Sequence, residues 1–298
     1  MEDARKRIDE SLDRLATALE NGQSETLKKY LAVMGRFHRY SLGNQLLIAM
    51  QRPDATQVAG FHAWKRLGRW VKAGEHGIAI VAPMVRKVRP VHEPDEKALS
   101  AAREHIVCFK GCRVFDIAQT DGKALAEFAA VRGDPAEHLP KLKGFVKSCG
   151  IDLEYADDLR GALGLSAGGR IMLRRGLSAS EEFSTLSHEL AHELLHREKE
   201  VKVARNIREL EAEAVAFVVC QAIGLDTNTA ACDYIQLYQA DRKLLMASLG
   251  RIRETAAVII GGLKLDERYD ADALNVNEVP AVATEVEIAA RPVTTLAA

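Results

Sequence analysis

The stretch TLSHELAHELLH, residues 185–196, sets His188, His192 and His196 four apart, with Glu189 directly after the first. His188-Glu189-Leu190-Ala191-His192 is a complete His-Glu-x-x-His. On a helix, a spacing of four returns both imidazoles to one face, where they can share a metal ion. Glu189 falls beside them, positioned to take a proton from a water whose pKa zinc lowers toward about 7. The spacing predicts a Zn2+ site with His188 and His192 as ligands and Glu189 as the catalytic base. The motif lies inside a helix with Leu186, Leu190, Leu194 and Leu195 to bury; the competing reading is a salt-bridged amphipathic helix.

His196 continues the spacing but not the geometry. Eight residues rise about 12 Å on a continuous helix, too far for His188 and His196 to share one ion at about 2.1 Å, and no glycine breaks the helix between His192 and His196. It reads as a cleft-rim, capping or surface residue. The better third ligand lies in RELEAEAVAFVVC, residues 208–220. There Glu209 and Glu213 share a face with Ala212, Ala216 and Cys220, whose small side chains permit close helix approach. Glu209 completes two histidines and a carboxylate, with the fourth position open as a catalytic zinc requires. Glu213 then hydrogen-bonds a ligand histidine from behind. The swapped assignment, Glu213 as ligand, stays open. Glu211, about 200° round from Glu209, is expected to face solvent. Tyr234 and Tyr238 read as core packing, with a phenol for an oxyanion as the alternative. The strand RIMLRR, residues 170–175, is one that an extended peptide could join.

These groups need a scaffold, and the chain punctuates one. Apolar stripes predict helices over about 4–20, 24–38, 41–51 and 61–68. RWVKAGEHGIAIVAP then reads as a hairpin, HIVCFKGCRVFDI as one or two strands, and residues 85–104 as a charged, Pro-containing loop. A helix near 136–149, the strand IDLEYA and two strands around Gly168 and Gly169 follow. Further helices are predicted over about 180–197, 203–223, 228–247 and 250–262. The fold class is α+β: a mixed N-terminal domain, residues 1–122, then a mostly helical domain with a small sheet, residues 123–264. An acidic, aperiodic tail, residues 265–298, is expected to be disordered.

Bulk properties narrow the function classes. The 298 residues carry five cysteines, with no second pair to complete a zinc finger around Cys108 and Cys112. The charged start lacks an apolar signal region, and the apolar runs fall short of the roughly 18–20 residues needed to cross a bilayer. A reduced, cytoplasmic protein without a membrane span is expected. The net charge of -1 hides an asymmetry: Lys28 to Arg89 holds twelve Lys and Arg against two acids, and Asp266 to Ala298 seven acids against two Arg. The basic segment interleaves Arg36, Arg39, Lys65, Arg66, Arg69 and Lys72 with Phe37, Tyr40, Phe61, Trp64 and Trp70. Cations that track a backbone, with rings on which bases stack, are what single-stranded nucleic acid requires. Asn44 and Gln45 add amides for phosphates or base edges. Trp64 fits a core as well as a surface.

The chain resembles ArdC-type antirestriction proteins of plasmids through YSLGNQLLIAMQRP, GFHAWKRLGRWVKAGEHGIAIVAP and VFDIAQTDG in front, and SHELAHELLH followed by ELEAEAVAFVVC behind. The resemblance implies an N-terminal single-stranded-DNA-binding domain and a SprT-like or zincin-like metallopeptidase domain. It carries His188, His192 and Glu209 over as zinc ligands, Glu189 as base and Glu213 behind them. SprT-like proteases proper use a third histidine, so this site is closer to the glutamate-type zincins. The first functional expectation is a zinc metallopeptidase that binds single-stranded DNA and cuts a protein, still to be identified, in an antirestriction or DNA-protecting role. The alternatives are a non-catalytic protector of single strands with a structural zinc, and a regulatory protease that cuts a repressor.

Overall fold

The computed structural model describes residues 2–21, 24–88, 103–123, 135–196, 204–225, 227 and 242–264. Tyr234, Tyr238 and the acidic tail lie outside them. Helix α1, Glu2–Glu20, turns Leu12, Leu15 and Leu19 inward, and α2, Ser24–Arg36, does the same with Leu27, Leu31 and Met34. Helix α3, Leu42–Gln51, starts at Ser41, whose side chain accepts a hydrogen bond from the Asn44 backbone at 3.4 Å.

Strands β1, Val58–Gly60, β3, Ile78–Val88, and β4, Arg103–Asp116, form an antiparallel sheet in the order β1-β4-β3. Residues 85–88 and 103–104, expected in the charged loop, are strand instead, with Val88 opposite Arg103; residues 89–102 lie outside the described residues. The expected hairpin does not form. Strand β2, Arg69–Val71, pairs instead with β5, Thr120–Gly122, while β3 pairs with β4. Helix α4, Phe61–Arg66, packs on β2 over a small second core of Ala59, Ala63 and Trp64.

The free side of β3 is closed by amides. Asn44 pairs with both backbone groups of Val81, at 2.8 and 2.9 Å, and Gln51 with both of Ala79, each at 2.9 Å. The two amides, seven residues or about two turns apart, sit opposite alternate residues of the strand and satisfy an otherwise open edge.

Behind this, α5, His138–Ser148, precedes a three-stranded sheet of β6, Asp152–Ala156, β7, Gly164–Ser166, and β8, Arg170–Arg174. Its order is β6-β8-β7. RIMLRR is therefore the central strand, with both edges already paired, and cannot take an added peptide. Helices α6, Ala179–His196, α7, Arg205–Ala222, and α8, Arg242–Gly262, complete the fold. One continuous α8 replaces the end of the predicted 228–247 helix and the whole of 250–262. Gly250 sits inside it with open space at its Cβ position.

The two predicted domains share one apolar core, which runs from Leu12 through Met34 and Val114 to Val218, Ile252 and Leu263. Helix α2 packs directly on α7, where Gly35 makes the approach possible: a Cβ there would lie 2.8 Å from the Val218 carbonyl oxygen. Among the described residues, no helix is long and apolar enough to cross a membrane.

Candidate metal centre

Helix α6 buries Phe183, Leu186, Leu190 and Ala191 completely, which turns His188 and His192 toward α7. Leu194 lies on the exposed side instead of the predicted buried one. Helix α7 meets α6 through small residues, with Ala212, Ala216 and Cys220 all buried. Three potential ligand atoms converge there. His188, His192 and Glu209 bring one atom each within 4.8 Å of one another. The two imidazole Nε2 atoms are 3.1 Å apart, and Glu209 Oε2 is 3.3 Å from His192 Nε2 and 3.7 Å from His188 Nε2. Two imidazoles and a carboxylate, aimed at one point, fit a divalent ion of the zinc type.

Glu213 lies behind this set, its Oε2 3.2 Å from His188 Nδ1. With Nδ1 engaged as donor, the Nε2 lone pair of His188 is turned toward His192 and Glu209. Burial pulls the His188 pKa down, but the Glu213 hydrogen bond and the charges of Glu189, Glu213 and Glu209 outweigh it and leave the pKa raised. Burial and the charge of His188 lower that of His192.

Glu189 is buried, and desolvation raises its pKa. A backbone hydrogen bond from Ser166 in β7 holds its carboxylate. The strand can come this close because residue 164 is glycine: a Cβ there would stand 2.7 Å from Glu189 Cγ and from Thr185 Cγ2. A second buried carboxylate, Glu193, fixes the hairpin itself. Its oxygens accept from the backbone N–H groups of Gly168 and Gly169, at 2.9 and 2.6 Å, inside the β7–β8 turn where both glycines have positive φ. Sequence reasoning missed Glu193; the signal was a carboxylate four residues after Glu189 on a helix that follows a Gly-Gly turn.

Glu211 is the main correction. Predicted to face solvent, it is fully buried, because α7 runs between α6 and α8. Ser248 donates to it at 2.5 Å, Arg251 of α8 forms an ion pair with it, and His196 Nε2 lies 3.7 Å from its other oxygen. His196 therefore faces Glu211 with its side chain buried, away from the three converging ligand atoms.

The predicted DNA-contacting residues divide. Trp64 has no exposed surface and donates through Nε1 to the Phe115 carbonyl at 2.9 Å, and Asn44 is committed to β3. Neither has a face left for DNA. Gln45 is likewise buried, donating to the Phe37 carbonyl at 2.8 Å. Tyr40 is half-buried against the core, and desolvation pushes its phenol up to about 12. Arg36 bonds the carbonyls of Ala32 and Pro53, and Arg69 those of Thr120 and Lys123. Arg39, Lys65, Arg66 and Lys72 are exposed; the Lys72 ammonium donates to the Ala118 carbonyl at 3.0 Å.

Fold and site together define an α+β protein in which a two-histidine helix and a carboxylate from the next helix meet behind a mixed N-terminal unit. Residues 2–115 match the family model of the N-terminal domain of anti-restriction factor ArdC. Over those residues the chain carries the ArdC N-terminal domain. A crystal structure of the Mn(II)-bound antirestriction ArdC protein from the R388 plasmid aligns at a TM-score of 0.50 and 19% identity, over 86% of this chain and 97% of that one. The metal-free structure of the same protein gives 0.46 and 19%, over 75% and 84%. An uncharacterised protein of Bacillus anthracis is 25% identical over 313 aligned positions, 87% of this chain and 51% of that protein. The chain thus spans about half the length of that curated relative.

Proposed function

We propose that the chain protects DNA of a mobile element in the antirestriction manner, holding single-stranded DNA with its front unit and a divalent metal, zinc by preference, between α6 and α7. We further propose that the metal centre is a peptidase site acting on a protein met at the DNA. The observation that carries the reading is the convergence of His188, His192 and Glu209 within 4.8 Å, with buried Glu189 alongside. The relationship to the antirestriction ArdC protein supports the protective role, and the Mn(II) bound by that protein supports a divalent ion.

In this reading, His188, His192 and Glu209 hold the ion and Glu213 orients His188. When bound, a divalent ion supplies Lewis acidity that polarises a carbonyl and acidifies water. Glu189, buried and with its pKa raised by desolvation, is suited to accept and return a proton. The Ser166 N–H fixes the direction of that carboxylate, and Gly164 leaves it room.

The deciding experiment compares wild type with Glu189→Gln on an unfolded polypeptide and on DNA-bound proteins, with bound metal measured by elemental analysis. The expected result is unchanged metal content and lost cleavage. Equal cleavage by both proteins removes Glu189 as the base. No cleavage by either, with DNA protection intact, makes the centre a structural one.

A further inference from the structure

The two tryptophans of the chain stand six residues apart and have opposite fates. Trp64 is core, whereas Trp70 is 60% exposed, the most exposed large apolar side chain among the described residues. An indole left in water forgoes the gain of burying its apolar surface, so its setting matters.

Trp70 does not hang from a loose loop. It is the middle residue of β2, opposite Asp121 of β5. Beside it, Arg69 staples the two strands together, bonding Thr120 Oγ1 at 2.8 Å and the carbonyls of Thr120 and Lys123 at 2.9 and 2.6 Å. The indole rests on Gly122, which has φ +125°; a Cβ there would lie 3.0 Å from the ring and 2.5 Å from the Gly68 carbonyl oxygen. A bare backbone supports a fixed, solvent-facing ring. Phe61, the first residue of the adjoining α4, is 51% exposed and makes an edge contact with Phe115. In the last turn of the same helix, Lys65 and Arg66 are exposed and have no ion-pair or hydrogen-bond partner among the described residues.

We propose that Trp70, aided by Phe61, is the ring on which a base of single-stranded DNA stacks, while Lys65 and Arg66 meet the neighbouring phosphates. This rests on the single-stranded-DNA reading above and assigns its contact face. Exposed cations on the helix that packs against the strand of a braced ring complement a polyanion with unstacked bases; a duplex, whose bases are already stacked, gains nothing from the ring. A protein partner would not need the phosphate-matching charge, and it is one outcome of the test.

The full chain is titrated with an oligo-dT strand and with a duplex of equal length, at several salt concentrations, while tryptophan emission is followed. Wild type is expected to bind the single strand with quenching of the exposed tryptophan. Trp70→Ala should lose about 5- to 100-fold in affinity for the single strand, with an unchanged salt slope and unchanged duplex binding. Trp70→Phe, which keeps a ring, should retain most of the affinity but lose the quenching. Lys65→Glu with Arg66→Glu should flatten the salt slope. Wild-type binding that Trp70→Ala leaves intact overturns the stacking assignment and spares the single-stranded-DNA reading. Equal weakening toward single strand and duplex also overturns it. Wild type that binds no single strand overturns both; capture of a protein through Trp70 would then identify the face as a protein contact.

Discussion

The centre between α6 and α7 and the unit formed by α4, β2 and β5 handle polar groups in opposite ways. Around the centre, carboxylates are held by other groups: Glu213 by His188, Glu211 by Arg251 and Ser248, Glu193 by two backbone N–H groups. In the α4 unit Arg69 and Trp64 bond inward, whereas Lys65 and Arg66, without a partner among the described residues, are exposed, as is Trp70. The difference matches what each would hold. A small ion fixes its ligands at about 2 Å and requires groups already locked in position. A flexible polyanion tolerates mobile cations but profits from a ring that is fixed.

That contrast can be broken most directly with the tryptophans. Trp64→Ala should cost about 3–5 kcal/mol in urea unfolding followed by circular dichroism. Trp70→Ala should stay within about 0.5 kcal/mol. Equal costs would mean that the two rings do not divide between core and surface. Within α7, Glu211→Ala should cost about 3 kcal/mol. That is the low end for a broken buried pair, because the Arg251 side chain keeps 33% exposure. Glu209→Ala, two residues away and on the exposed side, should leave metal-free unfolding unchanged.

Zinc in hundredfold excess over its Kd should stabilise the wild type by about 2.7 kcal/mol in calorimetry, and Glu209→Ala should abolish that increment. A full increment in this variant would move the ligand role to Glu213. The smallest effect concerns the tie between α5, β6 and α6. Burial pushes the Glu182 carboxyl up, but the Lys143 and Tyr155 hydrogen bonds outweigh it and hold it below the usual 4.5. A depressed carboxyl contributes stability that is present above 4.5 and fades as pH falls through its folded value. Lys143→Met should therefore cost about 0.5 kcal/mol at neutral pH and progressively less in acid, read from paired thermal melts.

What could be read from the sequence follows the range of each interaction. The pairing of His188 with His192 is local to one helix, whose period is known in advance, and Glu209 with Glu213 needed only the next helix. Glu211 was misread because its angle about α7 says nothing of what packs there; Arg251 comes from forty residues later. Strand partners failed for the same reason. The turn at Gly74, φ +84°, exists, but it passes the chain from one sheet to another instead of closing a hairpin. Aromatic content marked the α4 unit without telling which tryptophan would be covered, since Trp64 is buried through Phe115, 51 residues away.

Gly35, where α2 rests on the backbone of α7, constrains inheritance as well as packing. A chain cut near residue 122 would strip α1 and α2 of the helices that cover them. An exchange of front halves between relatives would carry a new α2 surface against an old α7. Such a hybrid must keep glycine at residue 35, because any side chain there would meet the α7 backbone at residue 218 whatever residue stands there.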